Sequence, residues 1–312
     1  MNRRYKIDKS FGIYSLFVPP LNRFVLWLAG IFLSVMPKWL NKKDLRVGKV
    51  RIPSEDGRGV RAWLIRPAED FGRAPCLVYF HGGGFVFRAA RYHYRNAAEY
   101  VRKTGCALLF VDYRLAPRFA CPVPDEDCFA AYRWVSENAR KLGVDPSRIA
   151  VGGDSAGGYL AASVVRRAAD EGLALPCFMM LVYPVLDRRM STTSMHEFTD
   201  TPMWNAVLNK KMWAYYSDGK HFLSPAEYVD VSCFPPAYIE TAEYDCLRDE
   251  ALAFADRLRK QGIAVTVRET KGTMHGYDIS YKSPVTSESI AARCAALSAA
   301  FAGGHLQQDN MQ

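Results

Sequence analysis

RIAVGGDSAGG, residues 148–158, is the stretch that most strongly indicates the fold. A β-rich run, Arg148–Gly152, leads into the G-x-S-x-G sequence Gly153–Gly157, and an Ala-rich helical run, Ser155–Glu171, follows. This order predicts a strand, a tight turn and a helix, with the Ser155 hydroxyl lifted clear of a sheet. The helix N-terminus favours negative charge there, so Ser155 is a candidate nucleophile. The alternative interpretation is an ordinary N-cap serine that opens a helix.

From about residue 45 the chain alternates between β-rich and helical runs. The other predicted strands are Leu45–Ile52, Val60–Ile65, Ala74–Phe80, Cys106–Val111, Phe178–Val182, Ala237–Ile239 and Ala264–Arg268. The other predicted helices are Arg91–Lys103, Asp125–Leu142, Asp249–Gln261 and Ser287–Ala302. Apolar strands that alternate with helices predict an α/β fold, with a mainly parallel central sheet and helices on both faces.

Two segments depart from this alternation and are predicted to form a helical cap. Residues 187–224 are polar at first and then rich in Met, Trp and Tyr, which indicates a helical insertion, and we expect residues 1–45 to pair with it. The predicted organisation is therefore an N-terminal cap segment (1–45), a first core part (46–186), the cap insertion (187–224), a second core part (225–303) and a polar tail (304–312).

The N-terminal segment also carries nearly all of the net charge. The chain has 312 residues and a net charge of +9, and residues 1–50 hold ten Lys or Arg against two acids. The remainder is about neutral, so a basic nucleic-acid face on the body is excluded. Within this segment the uncharged run Phe24–Pro37 is shorter than the ~20 residues that span a bilayer. We expect a helix packed on the protein as part of the cap. The alternative is an interfacial helix that places Phe24, Leu26, Trp27 and Phe32 in lipid.

A second glycine-rich motif follows the Ala74–Phe80 strand. The sequence His81-Gly82-Gly83-Gly84-Phe85 exposes backbone N–H groups at an entropic cost that packing does not explain. Two such donors and the N–H of Ala156 would form an oxyanion hole.

A serine nucleophile needs a base and an acid that orients it. Among six histidines, His275 alone lies in a loop that follows a late predicted strand, and sites in α/β proteins are built after strand C-termini. The segment from Glu240 to Glu250 supplies the acid. We favour Asp245 there, with Asp249 as the second candidate and Glu243 as the third. Helix capping accounts for Asp249.

Together the motifs HGGGF (81–85), DYRLAP (112–117), GDSAGG (153–158), AEYDCLRDE (242–250) and MHG (274–276) resemble the hormone-sensitive-lipase-like esterases, including the bacterial acetyl esterases and carboxylesterases. The resemblance covers about residues 45–300. It implies an α/β-hydrolase core, no metal and no cofactor. It also implies that Ser155, Asp245 and His275 form a triad, with Gly83, Gly84 and Ala156 as oxyanion donors. Three features depart from the family pattern: Cys246, Tyr277 and residues 118–121.

The resemblance further implies hydrolysis of short-acyl esters, about two to eight carbons long, through this α/β-hydrolase motif set. Phe85, Tyr183, Met203 and Trp204 are the predicted substrate contacts. The alternatives are a membrane-associated lipase, an amidase or acyltransferase with the same triad, and a non-catalytic ligand-binding protein. The expected partners are a small-molecule ester, a membrane surface in weak contact with the N-terminal segment, and a second copy in a homodimer. Eight scattered cysteines favour the cytoplasm.

Overall fold

Eight strands of four to eleven residues form the central sheet in a computed structural model that describes residues 4–36, 43–69 and 72–303. The strands are β1 (Leu45–Ile52), β2 (Val60–Pro67), β3 (Ala74–Phe80), β4 (Ala107–Asp112), β5 (Val144–Asp154), β6 (Met179–Val182), β7 (Ala237–Tyr244) and β8 (Val265–Met274). Their order is β1-β2-β4-β3-β5-β6-β7-β8. Strand β2 pairs antiparallel with β1 and β4, and the other pairs are parallel. The sheet is therefore mainly parallel, as the sequence predicts.

Eight helices accompany the sheet in the described residues. They are α1 (Arg23–Val35), α2 (Arg91–Thr104), α3 (Val123–Asn138), α4 (Ala156–Asp170), α5 (Thr193–Glu197), α6 (Ala206–Ser217), α7 (Arg248–Lys260) and α8 (Pro284–Phe301). Five of them, α2, α3, α4, α7 and α8, pack on the two faces of the sheet. Short 3-10 turns cover Lys9–Ser15, Pro225–Glu227 and Tyr277–Ile279. Every strand and helix predicted from the sequence is present, with ends that differ by a few residues, except that β5, β7 and β8 extend further.

Both faces of the sheet are buried because side chains alternate along each strand. In β4, Leu109 and Val111 join the hydrophobic core that lies under α3, α4 and α7. Their neighbours Leu108 and Phe110 point to the other face and join the core under α2 and α8. The predicted two-sided packing is therefore observed. Because β5 to β8 pair in parallel, the carboxyl ends of β5, β7 and β8 lie at the same end of the sheet.

The N-terminal segment contacts the insertion, as predicted. The Met203 N–H donates to the Phe17 carbonyl at 2.6 Å, and the Tyr5 hydroxyl donates to the Asp200 carboxylate at 2.5 Å. The Tyr5 ring also packs edge-on against Phe198 at 5.9 Å. Residues 304–312, the predicted tail, lie outside the described residues, and the division of the chain into five segments stays a prediction.

Helix α1 packs on the protein with one face, and its role in the cap stays a prediction. The Asn22 side chain caps it by accepting a hydrogen bond from the Val25 N–H at 3.0 Å. One face, which includes Leu26 and Leu33, is half-buried against the protein, but no residue of the helix is fully buried. The opposite face is apolar and exposed. Within the described ranges no helix combines the length and apolarity needed to cross a bilayer.

Candidate active site

Ser155 occupies a sharp turn between β5 and α4. Its backbone adopts φ 55° and ψ −119°, a conformation that costs a non-glycine residue free energy. Neighbouring strands hold it there: the Ser155 N–H donates to the Val182 carbonyl at 2.9 Å, and the Val185 N–H donates to the Ser155 carbonyl at 3.0 Å. The predicted strand–turn–helix is therefore present, and the strained turn points the hydroxyl away from the sheet.

The glycines around Ser155 are required by close backbone approach. A Cβ on Gly157 would lie 1.9 Å from the Phe80 carbonyl oxygen, and a Cβ on Gly153 would lie 2.4 Å from Gly157. A Cβ on Gly82 would similarly lie 2.3 Å from the Asp154 carboxylate. The end of β3 and the glycine loop that follows it are thus pressed against the start of α4. This packing sets the loop beside Ser155.

The structure brings Ser155, His275 and Asp245 into one hydrogen-bonded chain. His275 Nε2 lies 2.9 Å from Ser155 Oγ, and His275 Nδ1 lies 2.7 Å from Asp245 Oδ2. All three side chains are buried. Asp245 follows β7 and His275 follows β8, and because these strands pair in parallel their loops are adjacent. The second Asp245 oxygen accepts the Leu247 N–H at 3.0 Å, which fixes the carboxylate.

The other carboxylates in this segment bind elsewhere. Asp249 Oδ2 accepts the Ser194 N–H at 2.7 Å, and Glu243 Oε2 accepts the Gly272 N–H at 2.6 Å. Glu250 is buried and accepts the Leu186 N–H at 2.6 Å. The expectation that Asp249 caps α7 is therefore wrong. Asp249 and Glu250 lie in the first turn of α7, but their carboxylates bind N–H groups at the beginning of the insertion.

A buried scaffold supports the glycine loop. Gly83 and Gly84 have φ of 117° and 57°, which side-chain-bearing residues rarely adopt. The Tyr113 hydroxyl donates to the His81 carbonyl at 2.7 Å, and the two rings stack at 4.5 Å. The Ala116 N–H donates to the Phe85 carbonyl at 3.0 Å. Burial lowers the pKa of His81 to about 4, so its imidazole is neutral at pH 7.

The insertion forms the wall above the glycine loop. The Trp204 ring lies 6.0 Å from the His275 ring. A Cβ on Gly84 would lie 2.7 Å from the Trp204 ring. The Trp204 N–H donates to Asn209 Oδ1 at 3.2 Å, which fixes the ring orientation. Met203, with φ 64°, is half-buried and approaches Gly276. Two of the predicted substrate contacts, Met203 and Trp204, therefore flank the Ser155–His275 pair.

Comparison with known proteins identifies the family. A family model described as alpha/beta hydrolase fold matches residues 77–279, which is more than half of the chain. The chain belongs to this α/β-hydrolase family. Esterase LipI of Mycobacterium tuberculosis is 34% identical over 249 residues, covering 78% of each chain, and carboxylesterase NlhH of the same species is 36% identical over 236 residues, covering 73% of this chain and 74% of that one.

Solved structures give the same result. A bacterial heroin esterase superposes with a TM-score of 0.86 at 32% identity, covering 95% of this chain and 98% of that one. Esterase LipW from Mycobacterium marinum superposes with a TM-score of 0.87 at 28% identity, covering 95% and 96%. The predicted resemblance to hormone-sensitive-lipase-like esterases, the α/β-hydrolase fold and the assignment to carboxylic ester hydrolases are confirmed.

Two predicted substrate contacts of this hydrolase lie behind the site instead. Phe85 is fully buried and stacks on Tyr216 of α6 at 4.1 Å, because the insertion covers it. Tyr183 is also buried: its ring packs edge-on against His275 at 4.8 Å, and its hydroxyl donates to Asp278 at 2.6 Å. Contact of either side chain with substrate stays a prediction, and Tyr183 supports the imidazole from below.

The sequence interpretation missed two buried polar networks. In the first, Asp154 accepts hydrogen bonds from the Tyr79 hydroxyl at 2.6 Å and from His93 Nε2 at 3.1 Å. Burial raises the pKa of the Asp154 carboxyl, but the electrostatic interaction with the His93 ring and these hydrogen bonds outweigh burial and lower it to about 2. The position of Asp154 inside G-x-S-x-G was the available signal. Ionised Asp154 secures the turn that carries the nucleophile.

The second network surrounds a fully buried arginine of α8. Arg293 donates to Glu240 at 2.5 Å and to Asp278 at 2.7 Å, and Asp278 also binds the Tyr183 hydroxyl. The Tyr277 hydroxyl, where the family commonly has phenylalanine, donates to Glu240 at 2.5 Å. No local sequence signal marks Arg293. Within the described residues no three His, Cys, Asp or Glu side chains are grouped as a metal site.

Proposed function

We propose that this protein is a serine carboxylesterase that hydrolyses short-acyl esters, about two to eight carbons long, through an acyl-enzyme. The observation that carries the proposal is the chain of hydrogen bonds from Ser155 Oγ through His275 to Asp245, at 2.9 and 2.7 Å. Both distances are within the range that a nucleophile, its base and an orienting acid require.

In the first half-reaction His275 Nε2 accepts the Ser155 proton as Oγ attacks the ester carbonyl. The N–H groups of Gly83, Gly84 and Ala156 stabilise the oxyanion of the tetrahedral intermediate. His275 then gives the proton to the leaving alcohol, and an acyl-Ser155 ester remains. In the second half-reaction His275 takes a proton from water, the resulting nucleophile attacks the acyl-enzyme, and the carboxylic acid leaves as Ser155 is reprotonated.

Asp245 would hold the imidazole in the tautomer that presents Nε2 to the serine, and would stabilise the imidazolium. Its own orientation is supported by the hydrogen bond from the Leu247 N–H. Below the imidazole, the Tyr183 ring restricts rotation of His275. These contacts favour a base that is already positioned before substrate enters.

The short-acyl preference is supported by the insertion. Trp204 lies above Gly84 and beside His275, where the acyl chain of a bound ester would extend. Met203 lies on the same side. A wall of large side chains this close to the oxyanion loop leaves room for few methylenes.

Four other functions use parts of the same site. Amide hydrolysis and acyl transfer need the same three side chains, so matched ester, amide and acceptor-alcohol assays separate them. A membrane-associated lipase would prefer long acyl chains. A non-catalytic ligand-binding protein would turn over no ester. Weak membrane contact and a homodimer stay predictions, and the eight free cysteines favour the cytoplasm.

The test is hydrolysis of p-nitrophenyl esters from acetate to palmitate by wild type, Ser155→Ala and the exposed-serine control Ser298→Ala. We expect a maximum at short chains. Ser155→Ala should lower kcat about 10⁶-fold, while Ser298→Ala should match wild type. Circular dichroism and urea unfolding verify that both variants are folded. Wild-type activity in folded Ser155→Ala would disprove the assignment, and a maximum at palmitate would favour the lipase.

A further inference from the structure

Helix α1 exposes an apolar face that no part of the described chain covers. Phe24, Leu28 and Phe32 are spaced four residues apart and form one stripe, with Trp27 and Val35 beside it. Their exposed fractions run from 52% for Leu28 to 75% for Val35. An apolar helix surface of this kind is ordinarily buried in a protein or in lipid.

The exposed apolar residues are concentrated in this part of the chain. Fifteen large hydrophobic side chains are exposed among the described residues, and ten of them lie within residues 13–35. Those preceding α1 are Ile13, Leu16, Phe17 and Val18. Scattered exposed hydrophobic residues are normal, whereas a cluster indicates an interaction surface. We call the exposed hydrophobic residues of α1 the apolar face: Phe24, Trp27, Leu28, Ile31, Phe32 and Val35.

Along the chain, the charged residues that flank the apolar face have one sign. The sequence contains no acidic residue between Asp8 and Asp44, and in that interval it contains Lys9, Arg23, Lys38, Lys42 and Lys43. In the structure Lys9 and Arg23 are exposed. Cations that flank an apolar helix match a surface that is apolar inside and anionic outside.

The length of α1 excludes a transmembrane position. Thirteen residues give a helix of about 20 Å, shorter than the ~30 Å hydrocarbon core of a bilayer. The half-buried Leu26 also packs against the hydrophobic core, so the opposite side of the helix is held on the protein. A helix held in this way can insert only its outer face, parallel to the membrane plane.

We propose that the apolar face docks on an anionic phospholipid surface, with Phe24, Leu28 and Phe32 in the acyl boundary and the exposed Lys9 and Arg23 at the phosphate groups. A second copy of the chain fits less well. Each copy has ten Lys or Arg and only two acids in residues 1–50, so two such segments would repel each other when the faces dock. The proposal does not depend on ester hydrolysis.

The experiment measures co-sedimentation of the full-length protein with sucrose-loaded vesicles of phosphatidylcholine, with or without about 30% phosphatidylglycerol. We expect binding to the anionic vesicles and loss of most of it at about 0.5 M NaCl. Phe24→Ser/Phe32→Ser should lower the partition coefficient at least about tenfold. Equal, salt-independent binding to both vesicle types would contradict the proposal.

The matched control is Leu175→Ser/Val229→Ser, which removes two exposed hydrophobic side chains outside the apolar face. It should bind vesicles as wild type does, and equal losses in the two double variants would overturn the proposal. Light scattering gives the remaining outcome: a wild-type dimer that ignores vesicles and becomes monomeric in Phe24→Ser/Phe32→Ser would assign the face to a second copy. Turnover of p-nitrophenyl acetate reports folding, and vesicle binding by an inactive protein would refute only the esterase proposal.

Discussion

Replacement of Trp204 by alanine should lengthen the preferred acyl chain. The ring lies so close to the oxyanion loop that a Cβ on Gly84 would be 2.7 Å from its Cη2 atom, so its removal opens volume beside the acyl carbon. Each methylene that enters this volume should stabilise the transition state by about 0.8 kcal/mol. Three methylenes give about 2.4 kcal/mol, or a rise of about 60-fold in the octanoate-to-acetate ratio of kcat/KM.

The matched control for this prediction is Trp213→Ala. Trp213 is a second buried tryptophan of the insertion, but it packs against Phe85 behind the loop. Both variants should lose about 3–5 kcal/mol of stability, so kcat/KM is measured well below their melting temperatures. An unchanged octanoate-to-acetate ratio in Trp204→Ala, or an equal rise in Trp213→Ala, would refute Trp204 as the wall of the acyl pocket.

Two further predictions concern stability. Gly157→Ala should lower the free energy of unfolding by about 3 kcal/mol in urea titrations, because its Cβ would overlap the Phe80 carbonyl, whereas Gly48→Ala on an open strand should change it by less than about 0.5 kcal/mol. Burial raises the pKa of Asp125 from 3.8 to about 6. The stability that neutral Asp125 provides is therefore present below pH 3.8 and lost as pH rises through about 6. The free energy of unfolding of wild type minus that of Asp125→Asn should be about 2 kcal/mol larger at pH 4.5 than at pH 8. A pH-independent difference would contradict this.

Much of the site could be predicted because its residues follow strands. The runs predicted as β5, β7 and β8 end at Gly152, Ile239 and Arg268, a few residues before Ser155, Asp245 and His275, so their loops could be placed at one edge of the sheet. Chain order then led to Ser155, Asp245 and His275, which the structure brings together.

The remaining features depend on contacts between distant segments. Phe85 lies beside the glycine motif, and its burial is decided by Tyr216 of the insertion, 131 positions later. In the sequence, Arg293 looks like an ordinary surface residue of a helix. Only the structure shows that it is buried and paired with Glu240 and Asp278. For α1, apolarity indicates that the helix has a partner, but sequence alone does not say whether that partner is protein or lipid.

The carboxylates that open α7 have a consequence for exchanging parts between esterases. Glu250 accepts the Leu186 N–H and Asp249 accepts the Ser194 N–H, so the first residues of the insertion are bonded to the helix that begins three residues after Asp245. If this insertion alone were moved into a relative, its first N–H groups would be separated from the Asp249 and Glu250 carboxylates that accept them. Residues 245–250 and 186–224 should therefore be exchanged together when a chimaera of two esterases is made.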